Sequence, residues 1–243
     1  MNRHFSARPA RRRPIGTGVA VGVTVAVLVV TNVATCLWGL AFGLSSAVVV
    51  SALLLGVLRW AGGSWADAGL GAGTFGRGAC WAMVLIGTVG MVYAAGALLP
   101  VTRGLFADVR YGGLSGGQVA WRVLVMVPLG TVLLEETAFR GVLYGLVRRA
   151  RGVVWATVVS SALFGLWHIL PSLHLLAAKP ALMSLFGRSG FGAVAVVVAT
   201  VLFTGAAGVL LCELRRRSGS LLAPMGLHWA VNALGYLVGF LLR

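Results

Sequence analysis

Two of the chain's five acidic residues, Glu135 and Glu136, are adjacent inside the apolar run LLEETAFRG (133–141), with Arg140 close behind. A charge at the centre of a membrane helix costs roughly 2.5–3.5 kcal/mol even on the mildest scale, so ionisable residues that persist there are paired or functional. Glu136 and Arg140 stand four residues apart, share a helix face and can pair. Glu135 lies roughly 140° from Arg140 around an α-helix and has no cation on its own helix. A carboxylate left free in a dry site suits the task of a general base.

Two further apolar runs carry polar residues of the same kind. FGLWHIL (164–170) places Phe164 and His168 one turn apart, and GLHWAVN (226–232) does the same for His228 and Asn232. Counted from the arginine-bearing ends at 1.5 Å per residue, Glu135 is about 20 Å deep, His168 about 24 Å, His228 about 15 Å and Asn232 about 21 Å. A lone histidine in such a helix is accounted for by an interhelical hydrogen bond. Three clusters at one depth point instead to a shared site. His4, in a basic tail, and His174, beyond Pro171, do not join it.

The elements that must position these groups are membrane helices. Hydrophobic residues make up 59% of the 243 positions and charged residues only 10%. Ordinary soluble domains carry about 25% charged residues, so a water-facing globule is excluded. The net charge of +15 is distributed between apolar runs. There it sets topology, and no basic soluble module exists to bind nucleic acid. Cys36, Cys80 and Cys212 are far apart and form no CxxC, so they read as small apolar fillers.

The expected fold is all-α, a polytopic transmembrane helical bundle of seven or eight membrane helices. Residues 1–14 read as a basic, disordered cytoplasmic tail. Residues 15–114 hold the less diagnostic N-terminal spans, and 115–243 hold the chemistry. Spans are expected near 15–40, 44–57, 79–99, 122–147, 152–170, 191–214 and 220–242. Residues 171–190 are either a surface segment or half of a broken span. The polar, Gly-rich stretch 62–78 reads as a connection, and Trp and Phe near span ends as interfacial anchors. A cytoplasmic N-terminus puts thirteen Lys and Arg inside against six outside. That agrees with the positive-inside rule for an integral protein of, most simply, a bacterial cell membrane.

The motifs EETAFR (135–140), FGLWH (164–168) and HWAVN (228–232), in this order, resemble those of the CPBP intramembrane endopeptidases, also called the Abi or type II CAAX prenyl protease family. The likeness extends over about residues 115–242. It implies a CAAX-protease-like bundle, typically of eight helices, with a catalytic cavity open toward the cytoplasm. It also implies a membrane-associated or lipidated peptide or protein substrate. By this resemblance Glu135 activates water, His168 assists, His228 and Asn232 stabilise the oxyanion, and Glu136 and Arg140 support the site. No cofactor is expected. The alternative is a zinc enzyme with Glu135, His168 and His228 as ligands and water as the fourth, although no HExxH is present. A non-catalytic immunity or scaffold protein of the same fold and a proton-coupled transporter are the remaining readings. The transporter reading lacks a visible internal repeat.

Overall fold

A computed structural model describes residues 15–173, 175–187 and 189–243; the tail at 1–14, with His4, and His174 lie outside the described residues. Among the described residues every regular element is helical. The long elements are α1 (Thr17–Trp60), α2 (Phe75–Leu98), α3 (Gly116–Ser172), α4 (Gly190–Ser218) and α5 (Leu222–Leu241).

Both α1 and α3 consist of two arms that meet at a glycine. Gly39 has φ 78° and Gly152 φ 83°, a backbone region that only glycine enters without steric cost. The reversal at Gly152 brings the Ser160 hydroxyl onto the Phe139 carbonyl at 2.8 Å. Five stretches are long and apolar enough to cross a membrane: Thr17–Gly39, Gly43–Trp60, Ala72–Leu98, Gly116–Ser172 and Gly190–Ser218. The fourth of these contains both arms of α3. Helix α5, with 20 residues, also has the length of a span. Between α3 and α4 lie only short helices, the longest being Pro180–Phe186. Seven helical residues rise about 10 Å against a hydrocarbon core of about 30 Å. Among the described residues, 171–190 therefore hold no helix long enough to be an eighth crossing.

The first arm of α3 is not a uniform α-helix. Arg122–Val132 and Thr137–Leu143 are π-helical on either side of the single α-turn Leu133–Glu136 that carries the acid doublet. Pro128 lies within the first wide stretch; it lacks an N–H and cannot supply an ordinary α-helical hydrogen bond. Short π insertions recur at functional sites.

This arm is central. Its Ala138, Phe139, Val142 and Leu143 pack with Leu54 and Leu58 of α1, Phe164 of the second arm and Leu211 of α4. Helix α5 lies along α2, and α4 along the second arm. The approach of α5 is close: a Cβ built on Gly226 would lie 2.7 Å from Ala82 Cα. Small residues allow such contact where water supplies no drive for association. Large apolar side chains such as Val30, Leu98, Phe191 and Phe203 face outward, as required of an integral membrane protein.

The two ends differ in charge. One gathers Arg59, Arg77, Arg148, Arg149, Arg151 and Arg215–Arg217. The Gly-rich stretch expected as a plain connection is folded into this end. Buried Arg215 donates to the carbonyls of Ala66 and Asp67 at 3.0 and 3.1 Å. Arg148 meets Asp67 at 2.9 Å, and Arg77 meets the Ser218 carbonyl at 2.7 Å. Burial alone would raise the pKa of Asp67. Hydrogen bonds from the Ser64 N–H, the Ser64 hydroxyl and Arg148 hold it below the ordinary carboxylate value. The opposite end carries Arg103, Arg110, Arg122, Lys179 and Arg243. There Asp108 binds Arg110 at 2.6 Å and Lys179 at 3.3 Å, tying the segment around Lys179 to the connection between α2 and α3. Burial opposes the charge on Asp108, but the two cations lower its pKa overall.

Candidate active site

The site is assembled from α1, both arms of α3 and α5. Cross-helix hydrogen bonds to main-chain carbonyls fix their relative positions. Asn32 of α1 donates to the Trp167 carbonyl at 2.9 Å, Trp229 to the Val123 carbonyl at 3.0 Å, and Tyr93 to the Val231 carbonyl at 3.1 Å. Each satisfies a polar side chain that hydrocarbon would otherwise leave unpaired.

Glu135 and Glu136 are both buried and have different partners. Glu136 Oε1 accepts from Arg140 Nη1 at 3.2 Å and lies 2.7 Å from His228 Nδ1. The Arg140 guanidinium sits 3.9 Å from the centre of the Phe164 ring, a cation–π contact that compensates a fully buried charge. Glu135 Oε1 accepts from Trp167 Nε1 at 3.0 Å. Its Oε2 is buried without a hydrogen-bond partner and lies 3.7 Å from His228 Nε2.

His168 stands where the regular helix Tyr144–Trp167 ends. Its Nδ1 is 2.8 Å from the Phe164 carbonyl. A carbonyl only accepts, so Nδ1 carries the hydrogen, and in the neutral ring Nε2 presents a lone pair. The Phe164 ring makes T-shaped contacts with both imidazoles, with centroids 4.7 Å from His168 and 5.9 Å from His228.

A cavity of about 810 Å³ opens beside these groups, and Glu135, Trp167, His168 and Asn232 line it. His228, Glu136 and Arg140 do not line it and lie deeper in the protein. Among the described residues Asn232 makes no side-chain hydrogen bond, and no direct bond joins His168 to Glu135 or His228. Among these residues, too, no three His, Cys, Asp or Glu side chains are gathered as a metal-ion site.

Sequence reasoning missed Trp167 and Asn32. Trp167, expected as an interfacial anchor, donates into the site. Its side chain reaches Glu135 from the other arm of α3, a relation set by the turn at Gly152 and by no local spacing. Asn32 did carry a signal, being the only asparagine in α1, where an amide in hydrocarbon needs a partner.

The cavity extends from Glu135 to Arg110, Tyr111, Arg122 and Lys179, and among the described residues none of the arginine-rich end lines it.

No curated protein and no solved structure gives a significant match to the chain. A family model does: residues 117–234, a stretch that includes the acid doublet, both mid-membrane histidines and Asn232, match the type II CAAX prenyl endopeptidase Rce1-like family. With the all-helical membrane bundle around them, these residues are what the chain has in common with the type II CAAX prenyl endopeptidase family.

Proposed function

We propose that the protein is an intramembrane endopeptidase that hydrolyses a peptide bond with a water molecule activated at Glu135. The carrying observation is the free Oε2 of Glu135: buried, unpartnered, 3.7 Å from His228 Nε2, on a residue of the cavity wall shared with His168 and Asn232. Glu135 takes a proton from water as the oxygen attacks the substrate carbonyl. The Nε2 lone pair of His168 assists by accepting from the same water or from its hydrogen-bonded neighbour. Charge develops on the carbonyl oxygen, and preorganised donors in a dry cavity stabilise it. Asn232 supplies an amide donor from the wall. His228 lies behind the wall, its Nδ1 held on Glu136 and its Nε2 3.7 Å from Glu135 Oε2, so it reaches the oxyanion only if the bound substrate draws it forward.

Glu136 and Arg140 act through His228. The ion pair fixes the imidazole, and Phe164 supports both the guanidinium and the ring. No serine or cysteine takes part as a nucleophile in this scheme. Ser160 donates to the Phe139 carbonyl, and Ser161 faces Cys212. The substrate is a membrane-associated polypeptide, consistent with the family.

Comparison of membrane peptides from cells making wild type or Glu135→Gln tests the reading. A polypeptide cut only by wild type supports it; identical cleavage patterns overturn it.

A further inference from the structure

The arm that carries Trp167 and His168 ends where a regular helix cannot continue. In an α-helix the Trp167 carbonyl would accept from the N–H four residues on. That residue is Pro171, which has none. A main-chain carbonyl within a membrane bundle needs a donor from the protein itself. Asn32 of α1 supplies one, its Nδ2 donating at 2.9 Å. We propose that Asn32 is a positioning residue of the site: it fixes the turn at Trp167 and His168, and so holds both side chains in the cavity wall beside Glu135. The inference rests on the reading of the site as a peptidase. It adds to that site a residue from outside the stretch 117–234 that the family model matches.

The turn itself explains why it needs fixing. The His168 N–H reaches back only three residues, to the Gly165 carbonyl at 3.1 Å. Its backbone, at φ −84° and ψ 1°, has left the helical region. The Phe164 carbonyl, four residues back, takes the imidazole Nδ1 at 2.8 Å. A new helical turn then begins at Ile169. Trp167 and His168 thus form a joint between two helical pieces, with one main-chain donor missing. A joint of that kind swings unless its free carbonyl is held from another element.

What hangs on the joint is the proposed base. The Trp167 indole donates to Glu135 Oε1 at 3.0 Å, so the placing of one main-chain unit decides whether that bond forms. The Nε2 lone pair of His168 is aimed by the same unit. Asn32 is also a wall residue of the cavity, as are Thr35 and Cys36, three and four residues on. Residues so spaced share a helix face, and this face of α1 completes the wall that Glu135, Trp167 and His168 begin. A side chain that only tied α1 to α3 could bond any carbonyl of α3. Asn32 bonds the one whose ordinary donor Pro171 removes. A mere tie also predicts that losing Asn32 lowers stability and leaves the rate of the folded protein unchanged.

An indole signal tests the geometry without a substrate. The chain has eight tryptophans. In ¹⁵N-labelled protein in detergent, the indole N–H signal that disappears in Trp167→Phe belongs to Trp167. Asn32→Leu has nearly the size of asparagine and no donor. In this variant the Trp167 signal is expected to move toward that of a free indole, and its hydrogen to exchange faster with water. An unmoved signal overturns the inference. Asn32→Ala repeats the measurement should Asn32→Leu fail to accumulate.

A rate measurement follows the polypeptide found in the membrane-peptide comparison. Asn32→Leu is expected to lower kcat roughly tenfold with little change in KM. In Trp167→Phe the same change at 32 is expected to cost markedly less, because one of the two groups that the turn steers is already gone. Equal losses in the two backgrounds, or a wild-type rate in Asn32→Leu, overturn the inference. Its failure and failure of the peptidase reading are separable: the indole signal is read without cleavage, and the comparison of wild type with Glu135→Gln does not involve Asn32.

Discussion

His228 Nδ1 lies 2.7 Å from Glu136 Oε1, on the acid of the doublet that also holds Arg140. One histidine thus lies between the two acids, its Nε2 3.7 Å from Glu135 Oε2, and each acid keeps a second oxygen buried without a hydrogen-bond partner.

Glu135→Gln keeps the side-chain volume but removes the proposed base. Hydrolysis is expected to fall by about 10²–10⁴-fold, the usual contribution of general-base catalysis. Unchanged thermal unfolding in detergent, measured beside the rate, would show that the loss is chemical.

Trp167→Phe removes the hydrogen bond to Glu135 Oε1 but preserves an aromatic ring against Phe139, whose centroid is 5.9 Å away. A hydrogen bond to a charged group contributes about 1.5–3 kcal/mol. The rate constant is expected to drop roughly tenfold or somewhat more, and the melting temperature to fall by a few degrees. An unchanged rate would remove Trp167 from the machinery.

Arg140→Ala leaves Glu136 buried without its cation. Breaking such a pair costs about 3–5 kcal/mol, read as a lowered unfolding temperature in detergent. Arg140→Lys is not expected to restore it, since an ammonium lacks the planar face that lies over Phe164. Glu136→Gln combined with Arg140→Met is expected to be more stable than Arg140→Ala.

The cavity's end at Arg110 and Lys179 is fastened by a carboxylate outside the membrane helices. Asp108 has its pKa lowered from an ordinary 3.8 by Arg110 and Lys179. A depressed folded-state value means that its contribution is complete above pH 3.8 and fades as pH falls through the lower folded value. The segment around Lys179 is therefore expected to stay fastened at pH 5 and loosen only in stronger acid, seen as faster hydrogen exchange across 175–187. Asp108→Asn is expected to show the loosened exchange already at pH 7, at a stability cost of about 1 kcal/mol, since its cations are partly solvated.

Chelation separates the hydrolytic schemes. With a strong zinc chelator, wild-type cleavage is expected to persist. Loss on chelation, with recovery on adding zinc, would replace the water-activation scheme with one in which the metal polarises water.

The four polar candidates were legible because polar and ionisable residues are so scarce in apolar helices that each one demands a reason. Glu135, His168, His228 and Asn232 stood out for that cause alone. The arms of α1 and α3 were legible as separate spans from hydrophobic run length. What joins them was less so: Gly39 and Gly152 turn the chain within one residue, and a lone glycine gives no sign of its φ. The π-helical stretches around Glu135 were hidden too, because Pro128 marks a disturbed helix without specifying its form. The bond from Trp167 to Glu135 and the direction of the cavity depend on packing between elements, which periodicity along one strand of sequence does not encode.

Phe164 presents one hydrocarbon face to a guanidinium and makes T-shaped contacts with two imidazoles. It behaves as a common bearing: any sideways creep of the ring unseats all three neighbours together. Exchange for leucine would therefore not yield a series of progressively slower enzymes but an abrupt failure. An engineer seeking to retune this protein would do better to leave that position alone and work along the outer wall.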